Sequence, residues 1–544
     1  MNIYLAAQQN KNTGLNLFFN APHSHTHYTF EKSWFTMVET TLGKDIIMSR
    51  TLAETNPFFN TYRENLTGLL RGQTLYRDDV KDLRSVLDHP FTSAEDLLDT
   101  CHRINRIMTI HRAGLGNNPA FLKDYHALKL TSWRKTADLP VDLALQEKLA
   151  DTLYNVKPNS KDAAILLFGN KSRGIAHALV NRLRADNIPF YPEFLDADFK
   201  NLVLSHARRD GIEKLARHEI ALNAKANKKI IAIPNGGPDP LVEAPKDKRK
   251  IYNDACRPMR DRSGNGDLFF TLTSFPTEND AARDGIDYEE YLKLYFEMCD
   301  QPWTEITKAQ DHLITLFNKA SKVRFTNSDG TDISMSLVDK DGKHFTFCNS
   351  VIAKNVPGSE IFSAPRRDSI NGTIVAKGRF SPRDTGNKII ENLTMHFENG
   401  KLTRFSADKG AEHFQEFLDQ DAGNRYVGEL GIGTNPHLKR HVMNILLVEK
   451  IGGSFHLALG NAYSFKDYVG TPVKVDNGNR SQDHWDITTM LIGKQGQIIL
   501  DGTPIMKDGK FLAPELAVLN EGWAALPVNQ RPAYWKNYKG PKLP

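Results

Sequence analysis

The stretch DAAILLFGN (162–170), followed at once by SRGIAHALVNRLRADN (172–187), reads as an apolar strand, a short loop and an amphipathic helix. The first segment is a brief continuous apolar run, and the second repeats its apolar residues three and four apart. Downstream, NLVLSHA (201–207) reads as a second strand, HEIALNAKANKK as a helix, and KIIAIPNGG (229–237) as a strand stopped by Pro234 and Gly236. Strands alternating with helices imply crossover connections and hence a parallel sheet. The region closes with the long helical pattern EEYLKLYFEMCDQPWTEITKAQDHLITLFNKA. A break is expected near Pro302, since proline lacks the N–H that continues a helix.

On either side the pattern changes. Up to about residue 155 the chain is mainly helical in period. SAEDLLDTCHRINRIMTIHRA (93–113) spaces Leu97, Leu98, Cys101, Ile104, Ile107 and Met108 for one helix face, with Ser93 and Asp96 as its start. Beyond about residue 323, KVRFTNSDGTDISMSLVDKDGKHFTF, GTIVAKGRF, NLTMHFENGKLTRFSA and GQIILDGTPIMKDGKFL hold strand-like runs joined by Asp-Gly and Asn-Gly turns. Such turns argue for antiparallel pairing. Helices are expected at 410–420 and 436–446. The fold expected is multidomain, α/β and α+β. It comprises a helical N-terminal extension (1–155), an α/β domain with a mainly parallel sheet (156–322) and a mixed or antiparallel β-rich domain (323–544).

Composition narrows the function classes. Of 544 residues, 40% are hydrophobic and 25% charged, as in ordinary globular proteins rather than disordered or fibrous ones. A net charge of +5 is small for this length, so nucleic acid is not the expected partner. Cys101, Cys256, Cys299 and Cys348 are scattered without a CxxC pair, which favours a reducing compartment over a disulfide framework. The N-terminal MNIYLAAQQNKNTG lacks the pattern of a signal peptide, and no apolar run approaches a membrane span. The expectation is a cytoplasmic protein with neither membrane nor nucleic-acid partners.

Several motifs are incomplete. Gly169-Asn170-Lys171-Ser172 looks like the end of a phosphate loop, but the glycine required five residues earlier is Ala164. Gly431-Ile432-Gly433 lacks the third glycine of a dinucleotide fingerprint, and His218-Glu219 lacks the second histidine of a zincin helix. His23, His25 and His27 alternate on an extended segment, more in keeping with a solvated turn than with a metal site.

The last third concentrates metal-ligand types beside glycine-rich turns: Glu360, Glu429, Glu449, His456, His484 and Asp486. His484 and Asp486 share one face of a strand by its two-residue period. Glutamates, an aspartate and histidines suit divalent zinc, cobalt or manganese. Six such groups around one cation would leave uncompensated charge, which argues for two ions. Taken singly, each glutamate reads more readily as a surface residue or salt-bridge partner, His456 as a core histidine and Lys450 as the surface neighbour of Glu449.

In this order, NVPGSEIFSAP (355–365), ELGIGTNP (429–436), EKIGGSFHLALG (449–460) and HWD (484–486) resemble the thermophilic aminopeptidase family that includes aminopeptidases T and S. FTNSDGTDISMSL and SFPTENDAARDGIDYEEY extend the resemblance to roughly residues 160–544. It implies a metalloaminopeptidase with two divalent ions, acting through a bridged water on peptides with a free N-terminus. It further implies that Glu360, Glu429, His456, His484 and Asp486 are ligands, that Glu449 is a ligand or lies just behind them, and that Tyr463 stands beside the metals. Glu429 or Glu360 would carry the proton to the leaving amine, and Tyr463 would face the oxyanion. A homodimer that narrows access, and so favours short peptides, is implied as well. Ser359 and Ser363 depart from the family's more usual Gly and Thr. Other two-metal amide or phosphoester hydrolases, and a non-catalytic binding protein on the same scaffold, are the alternatives.

Overall fold

The computed structural model describes residues 94–538, apart from 129–138, 140, 155–157, 159–161, 234–240, 242, 266, 353 and 383–387. The histidine triplet at 23–27 and the helix start at Ser93 lie outside the described residues. The chain forms two compact units: Met1–Asp138 with Val156–Ile233 and Pro240–Phe270, and Leu139–Asn155 with Pro234–Asp239 and Thr271–Pro544. The division near residue 270 falls within the stretch read as the middle region.

In the first unit, β1 (Ala164–Gly169) pairs in parallel with β2 (Phe190–Leu195) on one side and β3 (Lys228–Ile233) on the other. The helix Arg173–Ala185 crosses over between β1 and β2, as its period predicts. NLVLSHA is not the second strand. It lies in the helix Ala197–His206, capped by Asp196 accepting from the Phe199 N–H, with Phe199, Val203 and Leu204 on its buried face. The actual strand, β2, contains Pro192, which suits only an edge position where no ladder donor is needed. That proline hid it from a pattern reading. The helix Ala94–Arg112 forms as its spacing predicts, burying Leu98, Cys101, Ile107 and Met108. The Ser172 hydroxyl is buried and donates to the Ala232 carbonyl at 2.5 Å, so this loop residue serves the strand ends.

β4 (Phe269–Ser274) leads into the second unit. The long helical pattern breaks where proline requires, into Tyr288–Cys299 and Trp303–Lys319. Two antiparallel sheets follow. In the larger, the strands are β5 (Lys322–Thr326), β6 (Asp332–Ser336), β10 (Asn371–Phe380), β11 (Ile390–Glu398), β12 (Lys401–Lys409), β18 (Gln497–Leu500), β19 (Thr503–Lys507) and β20 (Lys510–Phe511). They run in the order β12-β11-β10-β6-β5-β18-β19-β20. The Asn399-Gly400, Asp501-Gly502 and Asp508-Gly509 turns all take positive φ, the geometry these dipeptides were expected to supply.

The smaller sheet has the order β17-β14-β13-β9-β7, from β7 (Cys348–Ser350), β9 (Glu360–Ser363), β13 (Val427–Gly433), β14 (Ser454–Gly460) and β17 (His484–Met490). β8 (Asn355–Val356) pairs with Leu272 and Thr273 of β4, and β15 (Asp467–Tyr468) with β16 (Thr471–Pro472) forms a separate two-stranded ribbon whose Tyr468 packs on Phe362. One face of the smaller sheet presents Ile361, Leu430, Ile432, Phe455, Leu457, Leu459, Trp485 and Ile487 to the main apolar core. Each contributes roughly 1.5–3 kcal/mol by burial, enough together to anchor a sheet whose other face is charged.

The helix expected at 410–420 is present as Ala411–Gln420, but 436–446 is mostly a loop before the short turn Ile445–Val448. Asn435 holds that loop by donating to the carbonyls of Gly358 (2.7 Å) and Met298 (3.2 Å) and accepting from the His437 N–H. A buried side-chain anchor thus outweighs helical spacing. All four cysteines are buried, and none forms a disulfide. Among the described residues, no helix is long and apolar enough to cross a membrane.

Candidate metal centre

Directly opposed residues in antiparallel strands share a face. The register therefore defines four rows on the site face of the smaller sheet. Glu360 opposes Gly433; Phe362, Gly431, His456 and Thr488 form the next row; Glu429, Ala458 and Asp486 the third; Gly460 and His484 the last. Ligand-type side chains alternate with glycine and alanine, which leave the room the larger groups need. Gly431 is the clearest case: a Cβ there would lie 2.0 Å from His456 Nε2. Ahead of Glu360, a Cβ on Gly358 would lie 1.2 Å from the Val351 carbonyl oxygen, so the chain turns into β9 only with glycine.

The predicted groups converge. His484 Nε2 lies 3.0 Å from Glu429 Oε2 and 3.6 Å from Asp486 Oδ1. His456 Nε2 lies 3.7 Å from Glu360 Oε2, 3.7 Å from Glu429 Oε1 and 4.0 Å from Asp486 Oδ1. One ligand atom each from Glu429, His484 and Asp486 falls within 4.8 Å of the others. The Tyr463 ring is 5.1 Å from that of His484 and 5.4 Å from that of Phe362, at the edge of the cluster.

The electrostatics call for cations. Buried Glu360 Oε2, Asp486 Oδ1 and His484 Nε2 have no hydrogen-bond partner although all face the cluster. Burial opposes charge on His456, yet the surrounding Glu429, Asp486 and Glu360 raise it to about 9. His484 is raised likewise, by Asp486 and Glu429 against the same burial. Burial would lift Glu429 and Asp486, but the two histidines hold both below the usual carboxylate range. Burial pushes Tyr463 well above the ordinary phenol value, and the carboxylates add to it. Histidines thus take up protons to neutralise carboxylates, the role a divalent ion fills by displacing them. His484 Nδ1–H donates to the Asn461 carbonyl at 2.8 Å, which leaves Nε2 as the ligating nitrogen. The donor set fits a hard or borderline divalent ion.

A profile of the thermophilic metalloprotease family M29 matches residues 145–511. The chain belongs to this family. Aminopeptidase AmpS of Bacillus subtilis (strain 168) is 29% identical over 215 residues, covering 36% of this chain and 48% of that protein. Aminopeptidase T of Thermus aquaticus is 28% identical over 197 residues, 34% and 47% of the two chains. The chain thus spans about half the length of the curated relatives it matches. The structure of wild-type AmpT from Thermus thermophilus covers 68% of this chain and 99% of its own, with a TM-score of 0.53 at 20% identity. That likeness shows an M29-type fold in the matched part.

Two residues of this M29 chain escaped the sequence reading. Lys450 is not a surface neighbour of Glu449: it is fully buried, donating to Glu360 Oε1 at 2.6 Å and Glu449 Oε2 at 2.8 Å. Burial raises Glu449 to about 8 even so, with the neighbouring Asp486 and Glu360 charges adding to it against the pull of Lys450. Gln310, buried in the helix Trp303–Lys319, accepts through its amide oxygen from Ser359 and Thr434. Its amide nitrogen donates to Asn349 Oδ1 (2.8 Å) and the Glu360 carbonyl (3.1 Å). Ser359, a departure from the family pattern, is therefore engaged in holding β9. The charge of Lys450 and the polarity of a core-facing Gln310 were the available signals, and neither discriminates without a register.

Proposed function

We propose that this chain is a metal-dependent aminopeptidase that removes N-terminal residues from peptides. The observation that supports it is the set of unpartnered buried atoms, Glu360 Oε2, His484 Nε2 and Asp486 Oδ1, converging on one sheet face in an M29 chain. The relatives named aminopeptidase point to the same substrate class. Glu360, Glu429, His456, His484 and Asp486 would hold the metal. When bound, a divalent ion supplies Lewis acidity, acidifying a water and polarising the scissile carbonyl.

The remaining work falls to side chains. Of the carboxyls, Glu449 fits the proton carrier better than Glu429. Burial raises it to about 8, near working pH, whereas the histidines hold Glu429 below the usual carboxylate range. Glu449 would take the proton from the attacking water and pass it to the leaving amine. Tyr463, kept protonated by burial, would donate to the developing oxyanion, a role worth roughly 2.7–4 kcal/mol for comparable donors. The substrate's ammonium would be met by the carboxylates, which is what limits cleavage to the first residue. With its four cysteines outside any disulfide, a cytoplasmic setting goes with this reading, as does the homodimer.

The test uses the full-length protein on aminoacyl anilides, N-acetylated counterparts and phosphoesters. The expected result is cleavage of the free-amine substrates alone, loss with chelator, and return with zinc, cobalt or manganese. Equal cleavage of blocked substrates, or of phosphoesters only, would overturn it.

A further inference from the structure

Four aromatic rings adjoin the metal centre on one flank, and the proposed chemistry uses only Tyr463. The Tyr463 ring is 5.1 Å from that of His484, the Phe465 ring 5.1 Å from Tyr463, and the Tyr468 ring 5.7 Å from Phe465. Phe362 packs against all three, at 5.4 Å from Tyr463, 6.5 Å from Phe465 and 5.2 Å from Tyr468. Its place follows from register: it opposes Cys348 on β7 and Gly431 on β13, in the row that carries His456. Phe362, Cys348 and Val475 are buried, whereas Tyr463, Phe465 and Tyr468 keep part of their surface in solvent. Apolar surface still open beside polar, reactive groups is the make-up of a small-ligand subsite.

This aromatic wall is bounded. At its far end the Tyr468 phenol is hydrogen-bonded to Ser350 of β7, and the β15–β16 ribbon carries the ring against Phe362. At its near end stands Tyr463, beside His484. A surface closed at both ends suits a side chain, which terminates, better than a leaving peptide, which continues. The wall also carries one charge, because Lys354 Nζ lies 5.9 Å from the centroid of the Tyr468 ring. That ring face already meets a cation, and the ammonium repels any second cation brought beside it. The carboxylates that could draw in a basic side chain belong to the centre, where Lys450 donates to Glu360 and Glu449 and the metal would take the rest.

We infer that Phe465 and Tyr468 form the subsite for the side chain of the substrate's first residue, and that Lys354 excludes basic side chains from it. This rests on the aminopeptidase reading above and narrows it to peptides that begin with a large apolar residue, such as leucine or phenylalanine. Such a side chain gains from the apolar area it removes from water against the two rings, and alanine has little area to remove. Phe465, Tyr468 and Lys354 are specificity-determining residues: they meet the substrate's side chain rather than the scissile bond.

The experiment measures kcat and KM of the metal-replete full-length protein on the anilides of leucine, phenylalanine, alanine and lysine, with one leaving group throughout. Leucine and phenylalanine should exceed alanine and lysine by at least about tenfold in kcat/KM, the scale on which apolar pockets discriminate. Phe465→Ala should lower the leucine-to-alanine ratio of kcat/KM by about tenfold, mainly through KM for leucine. Lys354→Met should raise the lysine-to-leucine ratio by about tenfold, as a like charge is removed. Equal kcat/KM on lysine and leucine in the native protein, or an equal loss on all anilides in Phe465→Ala, overturns the inference. A variant effect confined to the second residue of a dipeptide series overturns it too, since the wall would then serve the leaving side. If Phe465→Ala loses its circular-dichroism spectrum, Lys354→Met decides, and an unchanged lysine-to-leucine ratio there overturns the inference. No cleavage of any free-amine anilide by the native protein would instead sink the aminopeptidase reading itself, an outcome distinct from a flat side-chain profile.

Discussion

Gly431 and His456 oppose each other across β13 and β14 so closely that a Cβ on the glycine would lie 2.0 Å from His456 Nε2. The histidine occupies the space that the missing side chain leaves, and its ring reaches Glu360, Glu429 and Asp486 only through that gap. Gly431→Ala should displace the ring while the apolar face of the sheet keeps the fold. Turnover is expected to fall by more than about tenfold with the circular-dichroism spectrum preserved, a cost of roughly 1.4 kcal/mol or more on the barrier. Unchanged steady-state kinetics would show that His456 does not depend on this gap.

Glu429 faces both histidines, at 3.0 Å from His484 Nε2 and 3.7 Å from His456 Nε2. Glu429→Gln keeps the shape and removes the charge. Turnover should be abolished, and chelator-stripped protein should rebind cobalt far more weakly. Near-normal activity in a metal-replete sample would remove Glu429 from the centre.

Glu449→Gln tests the proton carrier. Metal content should be unchanged while kcat falls by about 10²–10⁴-fold, the usual range for a lost general acid–base. Because burial raises the Glu449 carboxyl to about 8, its ionised form is gained as pH rises, so native kcat/KM should climb through an acid limb. That limb should vanish in the variant. A limb that persists assigns the proton to another group.

The metal-free centre should be pH-sensitive in a defined direction. The carboxylates raise His456 from 6.5 to about 9 against its burial. A raised folded-state value contributes stability that is complete below about 6.5 and lost as pH rises through about 9. The melting temperature of chelator-treated protein should therefore carry a falling component across this window. Over the same window cobalt affinity should increase, with proton release visible by calorimetry in buffers of different ionisation enthalpy.

Gln310 ties the helix Trp303–Lys319 to the start of β9 through Ser359, Thr434 and the Glu360 carbonyl. Gln310→Leu removes these bonds; Ser359 and Thr434 still bond each other, but the Glu360 carbonyl loses a donor, at a cost of roughly 1–3 kcal/mol. The expected outcome is a melting temperature several degrees lower, with turnover reduced as Glu360 loosens. An unchanged melting temperature would show that the bridge does not hold β9.

Much of this was open to reading from local pattern. The strand at 164–169, the helix at 173–185, the break at Pro302 and the Asn-Gly and Asp-Gly hairpins follow from period and turn chemistry, which act over a few residues. Ligand-type residues beside Gly358, Gly431 and Gly452-Gly453 were visible for the same reason, since each motif is contiguous. The misreadings arose where a distant partner outweighed local pattern. Pro192 sits in a strand because that strand is an edge, and residues 436–444 form a loop because Asn435 is tied to Gly358 and Met298.

The chain's residue order alone determined the chemistry available: carboxylates and imidazoles spaced for strand ends, and hairpins that turn at glycine. Only the tertiary structure decided which of them share a face, since register between strands far apart in sequence is set by long-range pairing and burial of the opposite face. It also decided that Lys450 lies inside the centre rather than on the surface. A lysine's charge is local, but its desolvation depends on what the rest of the chain packs around it.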